Sequence, residues 1–186
     1  GRSHSYIKKV INRIGRPCAG ISYNGGCVYD GEKLVRSKAI PNDEAIEIVE
    51  EINKTYKIPG IFLMTENGLS IYLRYKSKFI RWLYKLYYKT TGIYAENLLS
   101  NEEDYYKELK EGKIFKIMIY FGLGKRKQNR AKQINSILRN VYDNVECNRS
   151  KNVIEITAKD CSKASSLLDL LSSMNASKDD VYVVGD

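Results

Sequence analysis

The two ends of this sequence alternate strand and helix patterns, whereas its middle contains a hairpin pattern, and this difference constrains the fold most. Residues 19–23 and 181–184 are short apolar runs, which are typical of buried strands in a parallel sheet. Residues 4–14 and 163–174 carry apolar side chains at the spacing of an amphipathic helix. The middle of the chain differs, because two strand patterns there flank a hairpin turn at residues 66–68. We therefore predict an α/β fold, with a doubly wound core into which an α+β domain is inserted.

The same difference predicts where the inserted domain begins and ends. Residues 41–43, Pro-Asn-Asp, interrupt the first strand–helix pattern. We assign residues 1–41 to the first part of the core, residues 42–147 to the inserted domain and residues 148–186 to the second part of the core. A strand predicted over residues 152–158 is thereby placed in the core.

Composition and charge exclude several classes of protein. The chain has 186 residues, of which 43% are hydrophobic and 28% are charged, so wholesale disorder is not expected. The longest uncharged apolar stretch, residues 117–124, is far shorter than the roughly 20 residues that a membrane-spanning helix needs. The four cysteines form no CxxC pair, which favours reduced thiols in a cytoplasmic protein over a zinc site or a disulfide framework. Oligomeric state is not predicted by any of these features.

One candidate functional residue begins a predicted helix. Ser162 is a predicted N-cap and Lys163 follows it directly. The first turn of a helix offers free N–H groups and the positive end of the helix dipole, and both favour an anion such as phosphate. A solvated surface lysine is the simpler interpretation of Lys163 when it is considered alone.

Other candidates follow or precede the remaining core elements. Asp186 comes directly after the last apolar run, and ligands of open α/β sheets bind at the carboxyl ends of the strands. Its carboxylate would suit Mg²⁺. Asn24 follows another predicted strand, and Gly1 and Arg2 precede the first helix. Each has a simpler interpretation as a turn residue or a chain end, but all of them, with Lys163, fall on the same edge of the predicted sheet.

The segments that carry these residues resemble the Cof-type haloacid dehalogenase-like hydrolases of subclass IIB. The resemblance rests on Gly1-Arg2 before a helix and on residues 21–30, 153–157, 161–164 and 183–186. Their order and spacing match the family over essentially the whole chain. The resemblance implies a Rossmann-like core, present here in part, with a mobile α+β cap domain of C2B type inserted in it.

The resemblance also implies an activity and a role for each candidate residue. Members of the family are Mg²⁺-dependent phosphatases that act on phosphorylated small molecules, often sugar phosphates, through an aspartyl-phosphate intermediate. By this resemblance Lys163 is a catalytic residue that holds the phosphate and stabilises the nucleophile. Asp186 is the metal ligand, and Gly1, Arg2 and Asn24 face the phosphate or the substrate.

Parts of the family pattern are not found in these residues. The resemblance implies that the nucleophile and the acid/base aspartate lie upstream of Gly1, and that the rest of the metal motif lies downstream of Asp186. Ala164 stands where the family usually has glycine. We therefore expect the complete protein to be an enzyme and residues 1–186 alone to be inactive.

A basic segment supports an alternative function. The formal net charge is +9, and five basic side chains cluster in one predicted helix: Lys125, Arg126, Lys127, Arg130 and Lys132. Such a cluster is a common feature of nucleic-acid-binding surfaces. The alternative is a nucleic-acid-binding or catalytically silent regulatory protein on the same scaffold. Because a solvated helix face explains the cluster more simply, we expect a phosphorylated small molecule rather than a nucleic acid or a membrane as the partner.

Overall fold

The structure is a computed structural model that describes residues 2–56, 58, 60–73, 82, 86, 98–99 and 102–182. Two of the candidate site residues, Gly1 and Asp186, lie outside the described residues. The predicted strand over residues 181–184 lies only half inside them. Val181 and Tyr182 belong to no strand there, and Tyr182 is 93% exposed.

The helices follow the predicted periodicity closely. Those with described bounds are α1 (His4–Ile14), α2 (Asn42–Thr55), α3 (Glu102–Glu111), α4 (Lys125–Val141) and α5 (Lys163–Ser173). The predictions of α1 and α5 are confirmed to within one residue. The Ser3 hydroxyl caps α1 by accepting a hydrogen bond from the Tyr6 N–H at 3.3 Å. Gly15 ends α1 in the left-handed conformation, with φ of 71°.

The strands form two sheets. Strands β1 (Gly20–Ser22), β2 (Cys27–Asp30) and β3 (Lys33–Ser37) form an antiparallel sheet. The second sheet has the order β6-β5-β4-β7-β9-β8, with β4 (Gly60–Thr65), β5 (Gly68–Leu73), β6 (Leu98–Leu99), β7 (Ile114–Tyr120), β8 (Val145–Ser150) and β9 (Val153–Ala158). Its pairs are antiparallel except for β5 with β6. The predicted hairpin is confirmed, because β4 and β5 pair across residues 66–67.

The strand predicted over residues 152–158 is confirmed as β9, and its assignment to the second part of the core stays a prediction. Strand β9 pairs with β7 and β8 in the six-stranded sheet. The physical reason is a tight hairpin at Lys151 and Asn152, which places every residue of β8 opposite one of β9. Strand β8 was not predicted, because its second half, Asn-Arg-Ser, is polar and exposed. A domain that contains β7 and β8 would also contain β9, and the division into core and inserted domain stays a prediction.

Each face of the six-stranded sheet packs against a different partner. Along β4, Ile61 and Leu63 join the main hydrophobic cluster with side chains from α2, α3 and α4. Phe62 and Met64 point the other way, as the period of a strand requires, and they pack in a second cluster with Tyr23. This second cluster joins the six-stranded sheet to the turn that follows β1. None of the described helices is both long and apolar enough to cross a membrane.

Candidate functional site

The turn Tyr23–Gly25 has an unusual backbone conformation. Its three residues have φ values of 51°, 61° and 110°, and non-glycine residues rarely adopt positive φ. Contacts from other parts of the chain hold the turn. The Tyr23 N–H donates to the Arg2 carbonyl at 2.8 Å, and its hydroxyl donates to the Thr65 carbonyl at 3.2 Å. The Tyr23 ring also stacks on Phe115, with 4.7 Å between centroids.

Gly25 brings this turn against the beginning of α5. A Cβ atom on Gly25 would lie 2.5 Å from the Ser162 carbonyl oxygen, so only glycine fits there without displacement. The Ser166 hydroxyl donates to the Gly25 carbonyl at 3.0 Å. As a result, the turn that contains Asn24 packs directly on the helix terminus that carries Lys163.

The first turn of α5 is built as predicted. The Ser162 hydroxyl accepts from the Ser165 N–H at 3.0 Å, and the Ser165 hydroxyl accepts from the Ser162 N–H at 3.1 Å. This reciprocal capping fixes the helix start. Lys163 is the first helical residue and is exposed to solvent. The terminus therefore presents a positive dipole end and a full positive charge at the same place.

Three of the predicted site residues thus come from segments that touch one another. Arg2 contributes the carbonyl that holds Tyr23, Asn24 occupies the turn, and Lys163 begins the helix against which the turn packs. The guanidinium of Arg2 lies over the Tyr6 ring, 5.4 Å from its centroid. The arrangement could hold a phosphate group, but the roles of these residues stay predictions.

Two charged residues that sequence analysis missed extend the site into the six-stranded sheet. The Asn24 side-chain amide donates to Glu155 Oε2 at 3.0 Å, and Lys116 Nζ lies 2.8 Å from Glu155 Oε1. The Lys116 side chain is only 2% exposed. Burial acts to raise the pKa of Glu155, but the hydrogen bonds and charge of Lys116 and the amide of Asn24 outweigh it, so the pKa lies below its usual value. In the sequence, Lys116 is the single charged residue of one apolar strand and Glu155 that of another. Their opposite charges were the signal that could have indicated a pair.

A cavity of about 270 Å³ lies next to the turn, between α1, β2 and the turn that joins β4 to β5. Tyr23 and Tyr29 contribute aromatic walls, and Lys8 and Asn67 contribute polar groups. The His4 ring stacks on Tyr29 with 3.5 Å between centroids. Burial, together with the charge of Lys8, lowers the pKa of His4. The space is slightly smaller than the roughly 300–1,000 Å³ of typical small-molecule sites, and its lining combines aromatic and polar side chains.

The described residues do not by themselves form a metal site. The predicted ligand, Asp186, lies outside them, and no group of three or more His, Cys, Asp or Glu side chains in the described ranges is placed to hold a metal ion.

The basic cluster lies away from this site. Helix α4 buries Ala131, Ile134 and Leu138 in the main hydrophobic cluster, on the face of the six-stranded sheet opposite Tyr23. Lys125 and Arg126 are exposed. This is the geometry of an amphipathic helix with a solvated basic face.

Comparison with known proteins gives matches in sequence profile and in fold. A family profile described as haloacid dehalogenase-like hydrolase matches residues 1–186. A search of curated proteins gave no match.

Three solved structures illustrate the likeness in fold. A haloacid dehalogenase-like hydrolase from Bacteroides thetaiotaomicron is 18% identical, with a TM-score of 0.74 over 100% of this chain and 66% of its own. A HAD/COF-like hydrolase from Plasmodium vivax is 20% identical, with a TM-score of 0.71 over 100% of this chain and 63% of its own. A HAD subclass IIB sugar phosphatase is 14% identical, with a TM-score of 0.63 over 92% of this chain and 58% of its own.

These likenesses confirm the predicted α/β fold class. The chain spans less than two thirds of the length of each of these three structures. At this level of identity the similarity extends to the fold and not to the substrate.

Proposed function

Because the chain belongs to the haloacid dehalogenase-like hydrolase family, as the resemblance predicted, we propose that the complete protein is a Mg²⁺-dependent phosphatase of a phosphorylated small molecule. The observation that carries the proposal is the packing of the Tyr23–Gly25 turn between Arg2 and the beginning of α5. This packing gathers three residues to which the family pattern gives a role toward the phosphate or the substrate, although they are up to 161 positions apart in the chain.

In the proposed mechanism, Lys163 and the first N–H groups of α5 bind the phosphate dianion. A lysine ammonium at a helix N-terminus combines a full charge with donors aimed at the anion. The same charge stabilises the carboxylate nucleophile, an aspartate that we place outside residues 1–186. Its attack on phosphorus breaks the bond to the substrate alcohol, which leaves with a proton from the acid/base aspartate, also outside these residues, and an aspartyl-phosphate forms. Water, deprotonated by the same acid/base aspartate, then attacks the phosphorus and releases inorganic phosphate and the free aspartate.

The remaining residues orient the substrate. The Asn24 amide faces the substrate from the turn, and the main chain of Gly1 and Arg2 contacts the phosphate. Asp186 is the proposed ligand of Mg²⁺, and a bound Mg²⁺ would stabilise negative charge on the phosphoryl oxygens. Exclusion of water around these groups would strengthen each electrostatic contact.

We further propose a sugar phosphate as the substrate and the cytoplasm as the compartment. One structural neighbour is a sugar phosphatase by name, and the cavity beside Tyr23 offers polar side chains to a hydroxyl-rich leaving group. The four cysteines are free thiols, which is consistent with a reducing compartment. In this proposal the six-stranded sheet belongs to a cap that supplies contacts to the leaving group.

The test is phosphate release by the complete purified protein on a panel of phosphorylated sugars and nucleotides. Each reaction is run with Mg²⁺, with a chelator, and with Mg²⁺ restored after chelation. We expect release that stops with the chelator and returns with the metal. No release from any substrate by correctly folded protein would contradict the proposal.

A further inference from the structure

Glu155 connects two separate parts of the molecule through its two carboxylate oxygens. One oxygen lies 2.8 Å from Nζ of Lys116, in the neighbouring strand β7. The other accepts a hydrogen bond of 3.0 Å from the Asn24 side chain, 131 positions away in the chain. The six-stranded sheet is thereby joined to the turn at the candidate phosphate site.

The buried cation determines how the carboxylate is oriented. The Lys116 side chain is 2% exposed, whereas that of Glu155 is 30% exposed. A buried ammonium is costly unless it is paired, so Lys116 holds Oε1 firmly. Because Oε1 contacts Lys116, the other carboxylate oxygen, Oε2, faces Asn24.

Asn24 is a residue whose position needs support. Its φ is 61°, and that of its neighbour Tyr23 is 51°. Asparagine adopts this left-handed conformation more readily than tyrosine, but two such residues in succession persist only where contacts stabilise them. The main chain on either side is held by Arg2 and Ser166, and Glu155 holds the Asn24 amide itself.

We infer that Glu155, oriented by Lys116, is a positioning residue that holds the Asn24 side chain in place for the substrate. The inference rests on the proposed function, because it assigns Glu155 a role in that reaction. It gives the Lys116–Glu155 pair a purpose beyond the stability of the sheet.

Two double variants of the complete protein isolate the hydrogen bond to Asn24. In K116M/E155Q both charges are gone, and the amide of the new glutamine is free to turn its oxygen toward Asn24. In K116M/E155M a side chain of similar length offers no acceptor. Neither variant leaves an unpaired buried charge, and only the first offers Asn24 a strong hydrogen-bond acceptor.

We expect kcat/KM of K116M/E155M to be about tenfold lower than that of K116M/E155Q, the loss expected from one hydrogen bond, with most of it in kcat. The two thermal midpoints should agree within about 2 °C. Equal kcat/KM in the two variants would overturn the inference.

The single variant E155Q provides a second test, which does not require a methionine at position 155 to be tolerated. Lys116 then binds the amide oxygen of the substituted glutamine, so the glutamine NH₂ group faces the NH₂ group of Asn24. Activity should fall in E155Q and recover when K116M is added. Because K116M also removes the unpaired buried charge that E155Q leaves, kcat/KM is compared per folded protein, well below the thermal midpoint of each variant. Failure of K116M to restore activity to E155Q would also overturn the inference.

The exposed pair of Lys113 and Glu66, 3.8 Å apart, supplies the control. K113M removes a charge just before the same strand, β7, and should keep wild-type kcat/KM. If the wild-type protein releases phosphate from no substrate, the proposed function fails and the inference fails with it. If wild type is active and the two double variants are equal, the inference alone fails.

Discussion

The hydroxyl of Ser166 donates a hydrogen bond to the main-chain carbonyl of Gly25 at 3.0 Å. Both groups are buried, so the bond is shielded from water and its loss would leave polar atoms unpaired. It ties the second turn of α5 to the turn that contains Asn24. The geometry of the candidate phosphate site therefore depends on the fit between Gly25 and α5.

Replacement of Gly25 by alanine should disrupt that fit. The Cβ would lie 2.5 Å from the Ser162 carbonyl, at a φ of 110°. We expect about 3 kcal/mol of lost stability from steric overlap and backbone strain together. Gly124 is a matched control, because its φ is 101° and nothing lies within 4 Å of its Cβ position. Gly124→Ala should cost less, about 2 kcal/mol, because it carries backbone strain without steric overlap. Urea denaturation measures both, and equal losses would contradict the steric explanation.

Replacement of Lys163 by methionine should abolish turnover without unfolding the protein. Lys163 is exposed, so the thermal midpoint should stay near that of wild type. We expect kcat/KM to fall by about 100-fold or more, as when a preorganised electrostatic contact is removed from an active site. Lys159, exposed in the turn just before α5, is the control, and Lys159→Met should remain active. Wild-type turnover by Lys163→Met would remove Lys163 from the mechanism.

Glu155 should make stability depend on pH in the acid range. Its pKa in the folded protein lies below the usual 4.5, so folding favours the carboxylate. Its contribution to stability is therefore complete above the pKa of the unfolded chain and is lost as the pH falls through the lowered folded pKa. Unfolding free energies measured from about pH 6 to about pH 3 should decrease more steeply for wild type than for Glu155→Gln. Parallel curves would show that this carboxylate does not contribute.

The four cysteines should differ in reactivity. Burial raises the pKa of Cys27 and of Cys147 to about 11, and Cys161 is also buried. Because the thiolate is the reactive form, iodoacetamide at about pH 8 should label Cys18, which is only partly buried, well before the other three. Intact-mass spectrometry follows the count of labels with time. Labelling of a second cysteine at the rate of the first would contradict the burial of these thiols.

Some of the candidate site could be predicted because its residues belong to local patterns. Lys163 follows the Ser162 cap, and Asn24 follows a short apolar strand. The structure brings the segments of both residues together with Arg2, whereas Gly1 and Asp186 lie outside the described residues. Glu155 and Lys116 were missed, because in the sequence each is one charged residue within a strand and only their contact with Asn24 makes them part of the site.

The sequence by itself determined the local elements of this protein, because periodicity, caps and turn residues act over a few positions. Helices α1 and α5 and the hairpin of β4 and β5 follow from such patterns, and the family resemblance follows from short motifs in order. Only the tertiary structure decided that β9 joins the six-stranded sheet and that Glu155 meets Asn24. Strand partners and side-chain contacts between distant segments depend on which surfaces can be buried together, and no local pattern in the chain records that choice.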